Sequence, residues 1–294
     1  MTEINRELQT RLEQDAKTFR IVTILGPRQA GKTTLAKMTF KNHQYVSLEE
    51  PEMRELATND PRTFLRRFHP PAILDEVQRV PDLLSYIQGH VDEKPDEKGQ
   101  FILTGSHQPL LREKIAQSLA GRTSILILYP LSFREVLSHD ESFKENAAHN
   151  WIYRGFMPEI YRADLNPTRA YQAYAQTYVE RDVRQLIQVK EQLVFERFLK
   201  LLAGRIGQLL NLDSLANDVG VTAKTIRNWI SVLEASFIAF RLPPYFKNFG
   251  KRLVKTPKIY FTDIGLATYL LGIESPEQVD RDPLYGNLFE NMVL

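Results

Sequence analysis

Gly26-Pro27-Arg28-Gln29-Ala30-Gly31-Lys32-Thr33 has the form G-x-x-x-x-G-K-T, and its flanks matter as much as its letters. Phe19 to Leu25 (FRIVTIL) is apolar and rich in β-branched residues, which predicts a buried strand. Thr34-Leu35-Ala36-Lys37-Met38 starts a helix on the other side. Strand, glycine-bounded loop and helix together are the context in which the motif has a mechanism. The glycines let the backbone curl until successive N–H groups point at phosphate oxygens, at the positive end of a helix dipole. In that arrangement the loop from Gly26 to Thr34 cradles the phosphates, Lys32 reaches the β- and γ-phosphates and the Thr33 hydroxyl holds Mg²⁺. The competing reading, a Gly-Lys-Thr turn on an ordinary surface, does not account for both glycines and both flanks. The stretch therefore predicts a site for a nucleoside triphosphate.

The 294 residues suffice for about two domains, and the 43% hydrophobic and 25% charged fractions are those of a globular protein. There is no cysteine, which excludes disulfides, zinc–thiolate sites and thiol catalysis and fits a cytoplasmic protein. The N-terminal MTEINRELQTRLEQD is charged and periodic, predicting an amphipathic helix rather than a signal sequence. No apolar run approaches the roughly 18 residues that span a bilayer, so no membrane partner is expected. The six histidines are scattered without metal-ligand spacing.

Further apolar runs follow at Tyr45–Leu48, Ala72–Leu74, Phe101–Leu103 and Thr123–Tyr129, separated by helical sequence. Strands alternating with helices predict an α/β domain with a mostly parallel sheet, in which TSILILY is a buried strand. Beyond Leu131 the pattern is helical. Ala72-Ile73-Leu74 ends in Asp75-Glu76, about forty residues after the loop. P-loop enzymes place an Asp at the tip of such a strand to hold Mg²⁺, and an adjacent Glu to activate the attacking water. One strand later, Thr104 and Ser106 fall where a hydroxyl orients that water or senses the γ-phosphate; the other reading is a self-capped Thr-Gly-Ser turn. Arg122, after Gly121, is either an arginine finger or a surface arginine behind a helix C-cap. Arg28 is either a nucleotide contact or a solvated loop residue.

Taken together, GPRQAGKTT, YVSLEEPE, AILDEVQRVPDLL, FILTGSHQPLL and SLAGRTSILILYPLSFREV, with the later RGFMPEIY, YVERDV and YFTDIGLATYLLGI, resemble the prokaryotic AAA+ ATPases that carry a C-terminal domain of unknown function. The resemblance runs from about residue 18 to the last residue. It implies an α/β P-loop NTPase core of AAA+ type over 1–133, an all-α helical lid over 134–190 and a winged-helix domain over 191–272. It carries over Lys32, Thr33, Asp75, Glu76 and a sensor at Ser106, favours the finger reading of Arg122, and implies ATP, ADP and Mg²⁺ as ligands. Such fingers usually act on a neighbouring subunit, so it also implies self-association. Two departures stand out: Arg154 replaces a glycine common in relatives, and residues 273–294 read as the opening of a truncated C-terminal module. Glu290 alone builds no nuclease metal site, so nuclease activity is not expected.

In the second half, Leu212, Leu215, Ala216 and Val219 follow i, i+3, i+4, i+7, as do Ile226, Trp229, Ile230 and Leu233. Gly220 ends the first helix and Thr222 caps the second, whose outer face carries Lys224, Arg227, Asn228 and Ser231. This resembles a helix-turn-helix, with a β wing around Phe246, Leu253 and Ile259. Tyr245, Phe246, Phe249 and Tyr260 are expected in the core. Residues 200–260 hold ten Lys or Arg against three acids, whereas the whole chain carries only +2. Such a concentration is an electrostatic footprint for DNA, the alternative being a winged helix that packs on protein. The expected function is an ATPase that drives or switches this module; the alternative is a nucleotide-loaded switch or protein-interaction module with negligible hydrolysis.

Overall fold

The computed structural model describes residues 3–106, 109–183, 192–245 and 256–294. It divides into two compact units, Ile4–Tyr129 and Pro130–Leu294, the latter taking Glu3 with it. No helix among the described residues is long and apolar enough to cross a membrane.

The first unit is built on β1 (Ile21–Gly26), β2 (Gln44–Ser47), β3 (Ala72–Asp75), β4 (Phe101–Ser106) and β5 (Thr123–Ile127). Every pairing is parallel, in the order β2-β3-β4-β1-β5, as the alternating pattern predicts. Strands β1, β3 and β4 are buried along their whole length, which is why they read as unbroken apolar runs rather than alternations. Helices α1 (Leu8–Thr18) and α2 (Lys32–Thr39) contribute Leu12, Leu35 and Ala36 to the core, where they join Val22, Ile24, Ile73, Ile102, Leu126 and Leu128. The expectation of a buried TSILILY strand is corrected: β5 lies at a sheet edge, and Ile125, Ile127 and Tyr129 are 46%, 42% and 51% exposed. Among the described residues β5 pairs with β1 alone, as the last strand of the sheet.

The second unit starts with the helices Phe133–His139, Ala148–Arg154, Pro158–Arg162 and Pro167–Tyr174, the last continuing as π-helical turns over Ala175–Val183. It continues with the helices Gln192–Ala203, Leu212–Val219 and Ala223–Ala235, and ends with Ile264–Leu270, Pro276–Arg281 and Tyr285–Val293. The purely helical pattern is interrupted by β6 (Ala239–Leu242) and β7 (Lys258–Phe261), paired antiparallel. Of the residues read as wing or core, Ile259 and Tyr260 lie fully buried in β7, while Phe246, Phe249 and Leu253 fall outside the described residues. Tyr245 is not core: it lies past the end of β6 and is 80% exposed.

The segments expected as a lid, a winged helix and a truncated module form one compact unit, and buried polar groups show why. Asp263 caps the helix Ile264–Leu270 and accepts hydrogen bonds from the Gly265 N–H (2.8 Å), the Phe156 N–H (3.0 Å) and the Tyr171 hydroxyl (2.6 Å). Burial pushes its carboxyl above the usual range even against these donors. Asn291 closes a second link, accepting from the Phe261 N–H at 2.8 Å and donating to the Phe261 carbonyl at 2.9 Å. Lys258 and Tyr260 meanwhile both donate to Glu290. The last helix is thus docked on β7, burying Leu288, while Phe289 and Val293 stay exposed. Arg154 ends its helix normally and pairs with Asp164 at 2.5 Å, so the missing glycine is accommodated there.

The Asp263 junction is close-packed. A Cβ on Gly265 would sit 2.3 Å from a Tyr171 ring carbon. Gly265→Ala is therefore expected to cost about 1–3 kcal/mol of stability through overpacking, read as a lowered thermal unfolding midpoint. An unchanged midpoint would contradict the junction.

Candidate nucleotide site

The loop after β1 lies at the carboxyl edge of the parallel sheet, where α/β folds bind ligands. Gly26 has φ 157°, and a Cβ there would lie 2.1 Å from the Leu128 carbonyl oxygen, so only glycine lets the loop leave β1 beside the end of β5. Gln29 and Gly31 take left-handed φ values of 61° and 86°, which curl the loop back into α2. Pro27 and Ala30 are buried, Arg28 and Thr34 half-buried, and Gln29 exposed. Lys32 is the first residue of α2 and only 5% exposed; its ammonium folds over the loop and donates to the carbonyls of Pro27 (2.7 Å) and Gly26 (3.1 Å). Burial lowers the Lys32 pKa to about 8, opposed by the nearby charges of Glu76 and Asp75.

Asp75, at the end of β3, is the centre of a hydroxyl cluster. It accepts from the Thr33 hydroxyl at 3.0 Å on both carboxylate oxygens, from Tyr45 at 3.0 Å, and from Thr104. Sheet register places these groups: Leu74 pairs with Leu103, so Thr104 stands beside Asp75, while Tyr45 comes from the adjacent β2. Burial and the Asp75 carboxylate push the Tyr45 phenol well above its ordinary range, and the Lys37 ammonium lies 3.3 Å from the centre of its ring. A carboxylate and a hydroxyl are hard oxygen donors suited to Mg²⁺. Among the described residues no group of three or more His, Cys, Asp or Glu converges, so a cation here would take its other ligands from phosphate and water.

Glu76 follows directly, held in a left-handed conformation (φ 59°) and accepting a hydrogen bond from the Gln78 amide. Burial raises its pKa, against the pull of Lys32. The Gln78 side-chain amide oxygen and the Ser106 hydroxyl are buried without a hydrogen-bond partner among the described residues. Gly105 makes room for Gln78: a Cβ there would lie 2.7 Å from its amide oxygen. Of the two hydroxyls on β4, Thr104 makes the carboxylate contact and Ser106 marks the strand end.

Arg28 faces Glu49 at 3.8 Å, a carboxylate it shares with Arg79 at 3.5 Å. Arg122 is not brought to the site. Its carbonyl accepts from the Ile21 N–H where β1 begins, and its guanidinium grips Asp92 through two bonds of 2.8 and 2.7 Å. The whole of β1, about 20 Å at ~3.3 Å per residue, separates it from the loop, so it does not reach phosphates bound by its own chain. Gly121 has φ 72°, which fits the C-cap reading.

Three residues at the site escape motif reasoning: Tyr45, Gln78 and Arg6. The Arg6 guanidinium is buried and donates to the Ala30 carbonyl at 2.6 Å and the Tyr129 carbonyl at 2.7 Å. Only Gln78 carried a signal, being polar two residues after Glu76.

In the second unit Lys224, Arg227, Asn228 and Ser231 are exposed on the helix Ala223–Ala235, whose other face buries Ile226, Trp229, Ile230 and Leu233. Thr222 caps it by accepting from the Thr225 N–H at 3.1 Å, and Gly220 ends the preceding helix with φ 86°. Three nearby cations are already paired: Arg205 with Asp218, Arg241 with Glu234 and Lys258 with Glu290.

Residues 18–137 match an AAA domain family, and residues 145–277 match a domain of unknown function, DUF8612. An uncharacterized protein of Mycobacterium tuberculosis is 32% identical over 292 residues, covering 98% of this chain; the chain spans 64% of that relative's length. An uncharacterized protein of Haemophilus influenzae is 24% identical over 93% of this chain and 73% of its own length. Among solved structures, the Walker-type ATPase PABY2304 of Pyrococcus abyssi aligns with a TM-score of 0.60 at 16% identity, over 91% of this chain and 95% of its own, a likeness of fold. Residues 18–137 of the first unit thus match an AAA domain, and its parallel α/β core shares the fold of that Walker-type ATPase.

Proposed function

We propose that this chain binds ATP with Mg²⁺, hydrolyses it, and uses the nucleotide state to set the posture of a basic winged-helix module that binds DNA. One observation carries the nucleotide reading: Lys32, Thr33, Asp75 and Glu76, from two separate stretches of sequence, converge at the carboxyl edge of one sheet. The loop N–H groups and Lys32 hold the β- and γ-phosphates, with Lys32 exchanging its two loop carbonyls for phosphate oxygens. Thr33 and Asp75 hold Mg²⁺, which when bound neutralises charge on the phosphates. Glu76 orients and deprotonates the attacking water, and Ser106 is the sensor of the γ-phosphate. Specificity for adenine and a cytoplasmic location belong to the proposal.

The alternative, a nucleotide-loaded switch with negligible turnover, is favoured by one observation, the Gln78 amide that occupies the Glu76 carboxylate. Phosphate release separates the two. Glu76→Gln is expected to bind ATP as wild type does while turnover falls about 10²-fold or more. Undiminished release in that variant would remove Glu76 from its role. Arg122 serves as a finger only by leaving Asp92 for a neighbouring subunit. The pairing favours no such role, and Arg122→Ala is expected to keep wild-type turnover at every protein concentration.

For the second unit, the capped helix pair followed by β6 and β7 supports a winged helix, the helices from Phe133 onward a lid, and the exposed Lys224, Arg227 and Asn228 a phosphate-backbone contact. The Lys224→Ala/Arg227→Ala double variant is expected to bind duplex DNA more weakly and with a salt slope shallower by about two. Equal affinity and slope would favour packing on protein instead.

A further inference from the structure

We propose that Arg6 is a positioning residue of the phosphate site: by holding the Ala30 carbonyl, it fixes the peptide whose N–H, that of Gly31, is aimed at the phosphates. The inference rests on the nucleotide reading above and adds to it a residue that lies upstream of the matched AAA segment, which begins at residue 18.

Arg6 stands in the irregular stretch before α1 and is 9% exposed. Its Nη1 donates to the Ala30 oxygen at 2.6 Å and its Nη2 to the Tyr129 oxygen at 2.7 Å. The peptide joining Ala30 to Gly31 is planar and trans, so its C=O and N–H point in opposite directions. A carbonyl drawn towards Arg6 therefore turns the Gly31 N–H to the other side of the loop. This peptide is also the one most in need of restraint. Gly31 has no Cβ, occupies φ 86°, and populates positive and negative φ about equally, so little in its own backbone opposes a flip that would offer phosphate an oxygen instead of a proton. A buried, charged donor on the carbonyl opposes it, because a flip would leave the guanidinium without that partner. The same cation adds positive charge close to the loop: a Cβ on Gly31 would lie 3.7 Å from Nη1.

The second bond gives the brace its anchor. Tyr129 follows β5, and the Leu128 N–H donates to the Leu25 carbonyl at 2.8 Å, so this backbone is fastened to β1 just before the loop begins. Arg6 thus spans the loop's exit and a backbone tied to its entry. Lysine is not equivalent here, since it lacks the planar fork whose two separate nitrogens take the Ala30 and Tyr129 carbonyls one each.

Equilibrium binding of ATP and of ADP, with steady-state phosphate release, tests the assignment on the full chain as wild type, Arg6→Ala, Arg6→Lys and Lys32→Ala. Arg6→Ala is expected to weaken both nucleotides about tenfold or more, the loss of one charged hydrogen bond, and to raise KM in step. Its kcat at saturating ATP should stay within about twofold, because the reacting groups are untouched. Arg6→Lys, which retains the charge and one bond, should recover part of the affinity. If Arg6→Ala does not fold, the KM-against-kcat comparison on Arg6→Lys decides alone. Wild-type affinity in the Arg6 variants, or a fall in kcat with affinity kept, would overturn the inference while Lys32→Ala still loses nucleotide. Wild-type protein that binds neither nucleotide would instead overturn the reading on which it rests.

Discussion

A positive charge carried into a nearly closed site is the constraint around which the first unit is organised. The Lys32 ammonium is buried deeply enough that its pKa falls to about 8, and a cation so placed needs acceptors on every side. Two are backbone carbonyls of the loop, which exist in that position only because the loop curls through left-handed conformations at Gln29 and Gly31. The charges of Asp75 and Glu76 supply the remainder, and both stand at the end of β3 because the sheet order sets β3 one strand away from β1 across β4. The hydroxyls of Thr33, Tyr45 and Thr104 then stabilise the Asp75 carboxylate. One sheet edge thus gathers a buried cation, two carboxylates and three hydroxyls.

Much of this could be read in the sequence, for a physical reason. The loop is local: glycines at fixed offsets between a β-branched run and a helix start leave few other conformations. Asp75 and Glu76 were legible because a buried strand that ends in acids must end at an edge. The roles of Tyr45, Thr104 and Arg6 were less accessible, since each depends on which strand lies beside which. Tyr45 reaches Asp75 because β2 pairs with β3, and Arg6 reaches Ala30 because the chain before α1 returns to the loop. The same gap explains Arg122. Its place in the order of motifs says nothing about which edge of the sheet it occupies, and it occupies the far one, held by Asp92.

The second unit repeats the lesson with buried polar groups in place of a loop. RGFMPEIY and YFTDIGLATYLLGI stand about a hundred residues apart, yet Asp263 and Tyr171 join them, with Gly155 and Gly265 too crowded for any side chain. Periodicity finds the helices of such a unit but not the carboxylate that ties them together. Charge counting had a similar limit. Of the cations between residues 200 and 260, Arg205, Arg241 and Lys258 are spent on internal ion pairs, which leaves Lys224 and Arg227 as the exposed cations of the capped helix.

Calorimetric titration of the full chain with ATP, in the presence and absence of Mg²⁺, tests the central claim most directly. The account predicts saturable binding of one ATP per chain, tightened by Mg²⁺ and abolished by Lys32→Ala. Absence of binding to the wild-type chain, or binding that survives the loss of Lys32 unchanged, would contradict it.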